Sequence, residues 1–231
     1  MAGLIQGKKC LVIGAGDLMS VKLQLDPGDM VIAVDGGIKY CEQLRINPDL
    51  LIGDFDSVSD DYGLLIDEIE EKTPEKVIRL DMLKDDTDML AALKTGLDNG
   101  CQVFHIYAGT GGRLEHTIAN IQCLLFLKGR GAEGYLFDEH GMVFVLKNEK
   151  QYFSDQMKGF LSLFSMGKEA KGVTIQGLKY PLHDYTMSND FPIGISNEFI
   201  GRESMIQVTD GELIGIVYHP QTVASNSKLW R

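Results

Sequence analysis

Short apolar runs recur along the chain up to about residue 140, and longer segments of mixed character separate them. The runs are rich in Val, Ile, Leu and aromatic residues and show little alternation, as is typical of strands covered on both faces. They predict strands at residues 9–16, 30–37, 49–57, 76–81, 102–109 and 134–138. The segments between them predict helices at residues 38–45, 59–71, 85–98 and 115–129.

Two of these helices carry apolar residues at the spacing of one helix face. The residues on that face are Met89, Ala92, Leu93 and Leu97 in the third helix and Ile118, Ile121, Leu125 and Leu127 in the fourth. Strands that alternate with helices in this way predict an α/β domain with a largely parallel sheet.

The pattern changes after about residue 145. The runs FLSLFSM, GVTIQGL, SMIQVTDG and ELIGIVYH are separated by Gly, Asn, Asp and Pro, with no long helical pattern between them. Such short strands predict a smaller antiparallel β domain. We therefore expect an α/β domain at residues 1–142 and a β domain at residues 143–231.

The charge of the chain limits its partners. With 33 acidic and 22 basic residues, the formal net charge is −11 at pH 7. This charge repels nucleic-acid backbones and anionic membrane surfaces, so neither is expected as a partner. A small anion such as a nucleotide remains compatible with it, because a metal ion or nearby lysines can reverse the field inside one pocket.

Cysteine usage and the N-terminus indicate a cytoplasmic protein. The four cysteines lie in apolar runs without metal-ligand spacing, and we interpret them as reduced core residues. The first ten residues lack the apolar stretch of a signal peptide, and no run approaches the length of a membrane span.

Aspartates follow the ends of three predicted strands. Asp35 ends the second strand, Asp54 and Asp56 end the third, and the stretch DMLKDDTDML follows the fourth. Each aspartate alone could equally begin a turn or cap a helix. The carboxyl ends of parallel strands meet at one edge of a sheet, where ligands collect. We therefore expect these carboxylates to share a site.

The spacing of the aspartates favours a metal ion. In an extended segment Asp54 and Asp56 would lie on one face, and Asp85 and Asp88 would share the first turn of the third helix. The helix N-terminus and Lys84 would temper the repulsion between these acids. Oxygen ligands without His or Cys favour Mg²⁺ over zinc, so Asp54, Asp56, Asp85 and Asp88 are predicted Mg²⁺ ligands.

The segment AGTGGRLEHTIAN, residues 108–120, follows the fifth predicted strand and has features of a phosphate-binding turn. Its glycines let backbone N–H groups approach an anion, and its arginine adds a fork-shaped donor. Most turns of this kind only connect a strand to a helix. The segment GAGDLM resembles a dinucleotide fingerprint, but Met19 stands where the third glycine belongs. The predicted phosphate-side residues are Lys84, Thr87, Gly111, Gly112, Arg113, His116 and Asn120.

Six motifs in order resemble the thiamine pyrophosphokinase family, in its bacterial form. They are VDGG (34–37), PDLLIGDFDS (48–57), KDDTDMLAAL (84–93), GGRLEH (111–116), GLKYPL (177–182) and ISNE (195–198). The resemblance implies a nucleotide-binding α/β domain, a β-sandwich domain, and a homodimer with active sites between subunits. It also implies that thiamine attacks the β-phosphorus of ATP, giving thiamine diphosphate and AMP.

The resemblance also implies roles for individual residues. Asp35 resembles the family acid near the reacting groups, and Arg113 resembles a triphosphate contact. Tyr180, Ser196 and Asn197 resemble parts of the thiamine pocket. The predicted catalytic residues are Asp35, Asp54, Asp56, Asp85, Asp88 and Arg113, with Mg²⁺ as cofactor and ATP as co-substrate.

Two other functions remain open on the sequence. One is a pyrophosphokinase for another alcohol, such as a hydroxymethylpterin, which the motifs in the β domain argue against. The other is a non-catalytic nucleotide or thiamine sensor. Glu115, which stands where the family usually has Asp, gives the sensor its only support.

Overall fold

The computed structural model of the chain describes residues 7–18, 23, 25–81 and 86–219. The described residues fall into two compact units. One comprises the described residues within 7–18 and 23–138, and the other contains those from Glu139 onwards. All four cysteines are buried and free, as predicted.

The first unit contains a parallel sheet of six strands. They are β1 (Lys8–Ile13), β2 (Met30–Val34), β3 (Leu50–Gly53), β4 (Val77–Arg79), β5 (Cys101–Tyr107) and β6 (Glu133–Phe137). Their order is β6-β5-β1-β2-β3-β4, and every neighbouring pair is parallel. All five residues of β2 are buried, which explains its unbroken apolar run. The predicted largely parallel α/β fold is confirmed.

The strand order determines where a ligand can bind. From the central strand β1 the chain continues to β2 on one side, while β5 lies on the other side. In sheets of this type, a crevice opens beyond the carboxyl ends of the strands where the order reverses. The segments after β1 and β5 therefore border the expected site.

Four helices accompany this sheet. They are α1 (Ile38–Leu44), α2 (Asp60–Lys72), α3 (Asp88–Asp98) and α4 (Leu114–Gly129). The predicted start of α3 at residue 85 is wrong, because Thr87 precedes its first turn and the Thr87 hydroxyl accepts a hydrogen bond from Leu90 N–H. The predicted apolar face of α4 is also partly wrong, since Ile118 is 51% exposed. No helix within the described ranges is long and apolar enough to cross a membrane.

The second unit contains two antiparallel sheets. One has the order β12-β9-β14-β7 and the other β11-β10-β13-β8. The strands are β7 (Gly141–Lys147), β8 (Lys150–Phe153), β9 (Phe160–Ser165), β10 (Glu169–Gln176), β11 (Leu182–Ser188), β12 (Asn197–Glu198), β13 (Ser204–Gln207) and β14 (Glu212–Tyr218). Phe144 of one sheet contacts Phe153 of the other, with ring centroids 6.1 Å apart. The predicted antiparallel β domain is confirmed.

Candidate active site

A cavity of about 540 Å³ lies at the carboxyl ends of the strands of the first unit. It opens where the strand order reverses, as the topology requires. Its lining residues are Gly14, Ala15, Gly16, Val34, Asp35, Gly36, Lys39, Ser57, Val58, Ser59, Tyr62, Thr87, Asp88, Met89, Ala108, Gly109, Gly111, Gly112, Arg113, His116, Ala119 and Asn120. Segments that are far apart in the sequence thus meet at one edge of the sheet.

Asp35 has an unusual position at the end of β2. Its φ angle is +48°, a left-handed conformation that Asp tolerates better than most residues. Its Oδ1 atom is buried and makes no hydrogen bond with the described residues. Gly53 makes room for it, because a Cβ atom at position 53 would lie 1.9 Å from Asp35 Oδ1. The carboxyl group is therefore held in place by the ends of two adjacent strands.

Two further carboxylates act on Asp35. The pKa of Asp35 is raised to about 7, first by burial and then by the nearby charges of Asp88 and Asp54. The side chains of Asp35 and Asp88 are hydrogen-bonded, and the Phe55 N–H opposes the rise by favouring the charged form. The structure therefore brings three of the predicted site aspartates together.

The DFDS segment does not have the conformation predicted for it. Phe55 is left-handed, with φ +60°, so the expected extended segment is wrong. Asp54 Oδ1 accepts a hydrogen bond from Asp56 N–H at 3.2 Å, while Asp56 is exposed and its carboxylate accepts the Ser57 hydroxyl at 2.7 Å. Asp54 lies near enough for its charge to act on Asp35, but neither Asp54 nor Asp56 is among the residues that line the cavity.

The acidic stretch before α3 separates into residues with different surroundings. Both carboxylate oxygens of Asp86 accept hydrogen bonds from Lys94 Nζ, at 2.8 and 2.6 Å. Asp88 and Thr87 line the cavity, although the Thr87 hydroxyl also caps α3. The predicted ligand Asp85 and the predicted phosphate contact Lys84 lie outside the described residues.

The carboxylates fit a hard cation. No group of three or more His, Cys, Asp or Glu residues in the described ranges has the arrangement of a preformed metal site. However, the mutual repulsion of Asp35, Asp54 and Asp88 and the buried Asp35 Oδ1 are both features that a nearby cation would relieve. Oxygen donors without His or Cys suit Mg²⁺. Asp54 and Asp88, beside Asp35, are the described residues that could hold it.

The two glycine-containing segments differ in their free hydrogen-bond donors. The N–H groups of Gly14 and Gly16 donate to Tyr107 O and Ala108 O, at 2.9 and 2.8 Å. This pairing leaves the GAGDLM segment without those donors for an anion. Gly111 and Gly112 have φ angles of +83° and +62°, and no described residue accepts a hydrogen bond from their N–H groups. Two adjacent donors at the start of α4 are therefore available to an anion.

Arg113 and Glu115 form an exposed ion pair beside these donors. Arg113 Nε lies 2.7 Å from Glu115 Oε1, and the two side chains are 73% and 65% exposed. The pKa of Glu115 is lowered by its own backbone N–H and then by Arg113. Glu115 therefore orients Arg113 at the cavity mouth, and exposed His116 lies next to them.

Asn120 stabilises the turn that contains Gly109, Gly111 and Gly112. It is buried, and its Nδ2 donates to Gly109 O at 2.7 Å. The side chain thus holds the backbone just before Gly111 and Gly112. The structure gives Asn120 a positioning contact, although it also borders the cavity.

The predicted thiamine residues form a small cluster in the second unit. Tyr180 is 60% exposed, and Ser196 is exposed with φ +55°. Asn197 is buried, and its amide group both accepts from Tyr180 N–H at 2.9 Å and donates to Tyr180 O at 2.7 Å. Asn197 therefore holds the Tyr180 backbone, while Tyr180 and Ser196 are accessible.

This arrangement predicts the effect of Asn197→Asp. The aspartate keeps an acceptor for Tyr180 N–H but loses the donor to Tyr180 O, so the free energy of unfolding should fall by about 1–3 kcal/mol. Chemical denaturation measures this loss. Asn189→Asp, at an exposed position, is the control and should change stability by less than about 0.5 kcal/mol. Equal effects of the two substitutions would contradict the role of Asn197 in holding the Tyr180 backbone.

The cavity region also contains residues that the sequence did not mark as site residues, among them Lys39, Tyr62 and Gly53. Lys39 and Tyr62 line the cavity from α1 and α2, and Gly53 accommodates Asp35. A lysine or tyrosine near a helix start has no local mark that separates it from a solvated side chain. The glycine before DFDS was a usable signal, because a strand-ending glycine often marks a close approach of another group.

Comparisons with known proteins agree with this geometry. The family model for the catalytic domain of thiamin pyrophosphokinase matches residues 21–136, and that for its vitamin B1 binding domain matches residues 146–213. The chain is 28% identical over 192 residues to the thiamine pyrophosphokinase of Bacillus subtilis, covering 83% of this chain and 88% of the relative.

Solved structures give the same result. The Bacillus subtilis thiamine pyrophosphokinase structure has a TM-score of 0.82 at 25% identity, covering 92% of this chain and 100% of that one. The yeast thiamin pyrophosphokinase structure has a TM-score of 0.70 at 16% identity, covering 92% of this chain and 87% of that one, which shows a shared fold. This chain therefore belongs to the thiamin pyrophosphokinase family and is an enzyme of the transferase class.

Proposed function

We propose that the chain transfers the pyrophosphoryl group of ATP to the hydroxyl group of thiamine. The observation that carries this proposal is the cavity itself, where the carboxylates of Asp35 and Asp88 border the same space as the free N–H groups of Gly111 and Gly112. The charge of Asp54 acts on Asp35 from nearby. To catalyse transfer of a phosphoryl-type group, a protein mainly has to position the reactants and neutralise their charge. This cavity has groups for both tasks.

In the proposed reaction, the hydroxyl oxygen of thiamine attacks the β-phosphorus of ATP. The new O–P bond forms as the bond from the β-phosphorus to the bridging oxygen breaks, and AMP leaves with that oxygen. The hydroxyl proton passes to Asp35, whose carboxyl group lines the cavity at the end of β2. When bound, Mg²⁺ supplies charge neutralisation for the triphosphate.

The other residues bind and orient the nucleotide. The N–H groups of Gly111 and Gly112 donate to phosphate oxygens, and Arg113 adds a charged donor that Glu115 orients. Asp54 and Asp88 would hold the metal ion, and Asp85 and Asp56 stay predicted ligands. Asn120 fixes the turn that carries the glycines.

The second unit is proposed to bind thiamine, with Tyr180 and Ser196 as contacts. In the segment that leads to Ser196, large apolar side chains are exposed, including Phe191 at 59% and Ile195 at 55%. Exposed apolar side chains in this number are consistent with a surface covered by a partner or a ligand. We propose that the chain forms a homodimer with active sites between subunits, and its cytoplasmic location stays a prediction.

A comparison of acceptors tests the proposal. The purified chain is incubated with ATP and Mg²⁺ and with either thiamine or a hydroxymethylpterin, and the products are separated by chromatography. We expect conversion in the mixture with thiamine and none in the mixture with the hydroxymethylpterin. Conversion of only the pterin would assign the chain to the rival pyrophosphokinase, and thiamine binding without any AMP would indicate a sensor.

A further inference from the structure

Lys39 is a cation in the cavity that the proposed reaction has not yet used. It lies in the first turn of α1, is half-buried, and lines the cavity. No described carboxylate lies within salt-bridge distance of its ammonium group. By contrast, Arg113, the other strongly basic residue of the lining, is already paired with Glu115.

Tyr40 holds the Lys39 ammonium beside the segment that follows β1. Lys39 Nζ lies 4.4 Å from the centroid of the Tyr40 ring, within the range of a cation–π contact. The Tyr40 hydroxyl donates to Gly16 O at 2.5 Å and accepts from Leu18 N–H at 3.2 Å. The Tyr40 hydroxyl is therefore bonded to both ends of the short Gly16–Leu18 loop, which fixes the ring. The face of the fixed ring then determines where the Lys39 ammonium group lies.

The strand order puts positive charge on two sides of one strip of backbone. Lys39 follows β2 and Arg113 follows β5, and β1 lies between these strands. The strip between them consists of Gly14, Ala15 and Gly16, which present almost no side chain. An anion lying across the end of β1 would meet both cations, while a single compact charge would meet only one.

We propose that Lys39 binds the polyphosphate chain of the nucleotide and that Tyr40 positions it. The ligand class is a polyphosphate with or without an attached nucleoside, since an ammonium group recognises charge and not the base. This inference rests on the proposed nucleotide-dependent function of the same cavity. It assigns Lys39 and Arg113 to opposite sides of the bound phosphates.

Binding of two probes tests the proposal without turnover. The probes are α,β-methylene-ATP and inorganic triphosphate, each titrated by calorimetry with Mg²⁺ and without thiamine. For Lys39→Met, the affinity for both probes should fall by about tenfold to a hundredfold, because one charged hydrogen bond is lost. Lys39→Arg keeps the charge and should restore most of the affinity.

Two further variants separate a specific contact from a general effect. Lys8→Met removes the same charge at the exposed amino end of β1 and should change neither affinity by more than about twofold. Tyr40→Phe keeps the ring but loses both hydroxyl contacts, and should weaken binding about threefold. In turnover assays, Lys39→Met should raise the KM for ATP and leave the KM for thiamine within about twofold.

The possible results distinguish this inference from the proposed function. Unchanged affinity of Lys39→Met for both probes would overturn it, as would a loss for the nucleotide analogue alone, which would indicate a contact with the nucleoside. Parallel losses for both probes support it even when thiamine is not converted, and in that case only the proposed function fails. A parent chain that binds neither probe overturns both.

Discussion

The variants Asp54→Ala and Asp88→Ala are each expected to lose turnover, by about a thousandfold or more in kcat. Both side chains face Asp35, and both are proposed to hold the cation that neutralises the triphosphate. Such a cation contributes several kcal/mol to the transition state, and each 1.4 kcal/mol is a factor of ten in rate. Steady-state formation of AMP measures the loss.

Neither substitution is expected to unfold the chain. Removing Asp54 or Asp88 takes away a negative charge that disfavours ionised Asp35, so the repulsion in the site decreases. Asp98→Ala is the matched control, because Asp98 is the exposed last residue of α3, the helix that Asp88 begins. The control should keep full activity. Full activity of Asp54→Ala or Asp88→Ala would remove that residue from the proposed ligands.

Asp35→Asn is expected to stabilise the metal-free chain at neutral and alkaline pH. The pKa of Asp35 is raised from 3.8 to about 7 in the folded state. Between these values the unfolded chain loses the Asp35 proton while the folded chain keeps it, so the stability of the parent falls as pH rises through this window. Asparagine has no proton to lose and also tolerates the left-handed backbone of residue 35.

The size of the effect follows from the two pKa values. Their full difference corresponds to about 4 kcal/mol, and partial solvent screening lowers this to about 2–3 kcal/mol. Denaturation without Mg²⁺ should therefore show Asp35→Asn gaining about 2–3 kcal/mol over the parent between pH 4 and pH 8. Asp98→Asn is the control and should follow the parent. A parallel pH dependence of the parent and Asp35→Asn would contradict the raised pKa, whatever happens to turnover.

Much of the first unit could be predicted because its signals are local. The apolar runs are continuous because β1 and β2 are buried along most or all of their length, so their positions were found to within a few residues. Asp35 and Asp54 were likewise predictable, since a strand-ending aspartate in a parallel sheet has only one edge to occupy. The position of a strand and the presence of an aspartate at its end can both be recognised within a few consecutive residues.

The remaining features of the site depend on contacts between distant segments. The left-handed Phe55 gives its turn a shape that residue spacing cannot indicate, because a non-glycine residue with positive φ has no compositional mark. The missing third glycine argued against the GAGDLM segment as a phosphate site, but the hydrogen bonds of the Gly14 and Gly16 N–H groups to the end of β5 and to Ala108 could not be read from the sequence. Hydrogen bonds of this kind depend on which strands are neighbours in the sheet. That strand order is known only once the fold is known.

The second unit shows the same limit. The strands β9 and β14 were visible as apolar runs, whereas exposed β11 carries polar residues and was missed. The bond between Asn197 and the Tyr180 backbone joins positions seventeen residues apart along the chain. A motif in the sequence marks such an asparagine as important, but only the fold shows that it supports its neighbour.

The most direct test of the account is the product ratio of a single reaction mixture. The parent chain, ATP and thiamine are combined with and without Mg²⁺, and AMP, ADP, thiamine monophosphate and thiamine diphosphate are quantified over time. We expect AMP and thiamine diphosphate to form in equal amounts, and only when Mg²⁺ is present. Formation of ADP with thiamine monophosphate, or equal turnover without a metal ion, would contradict it.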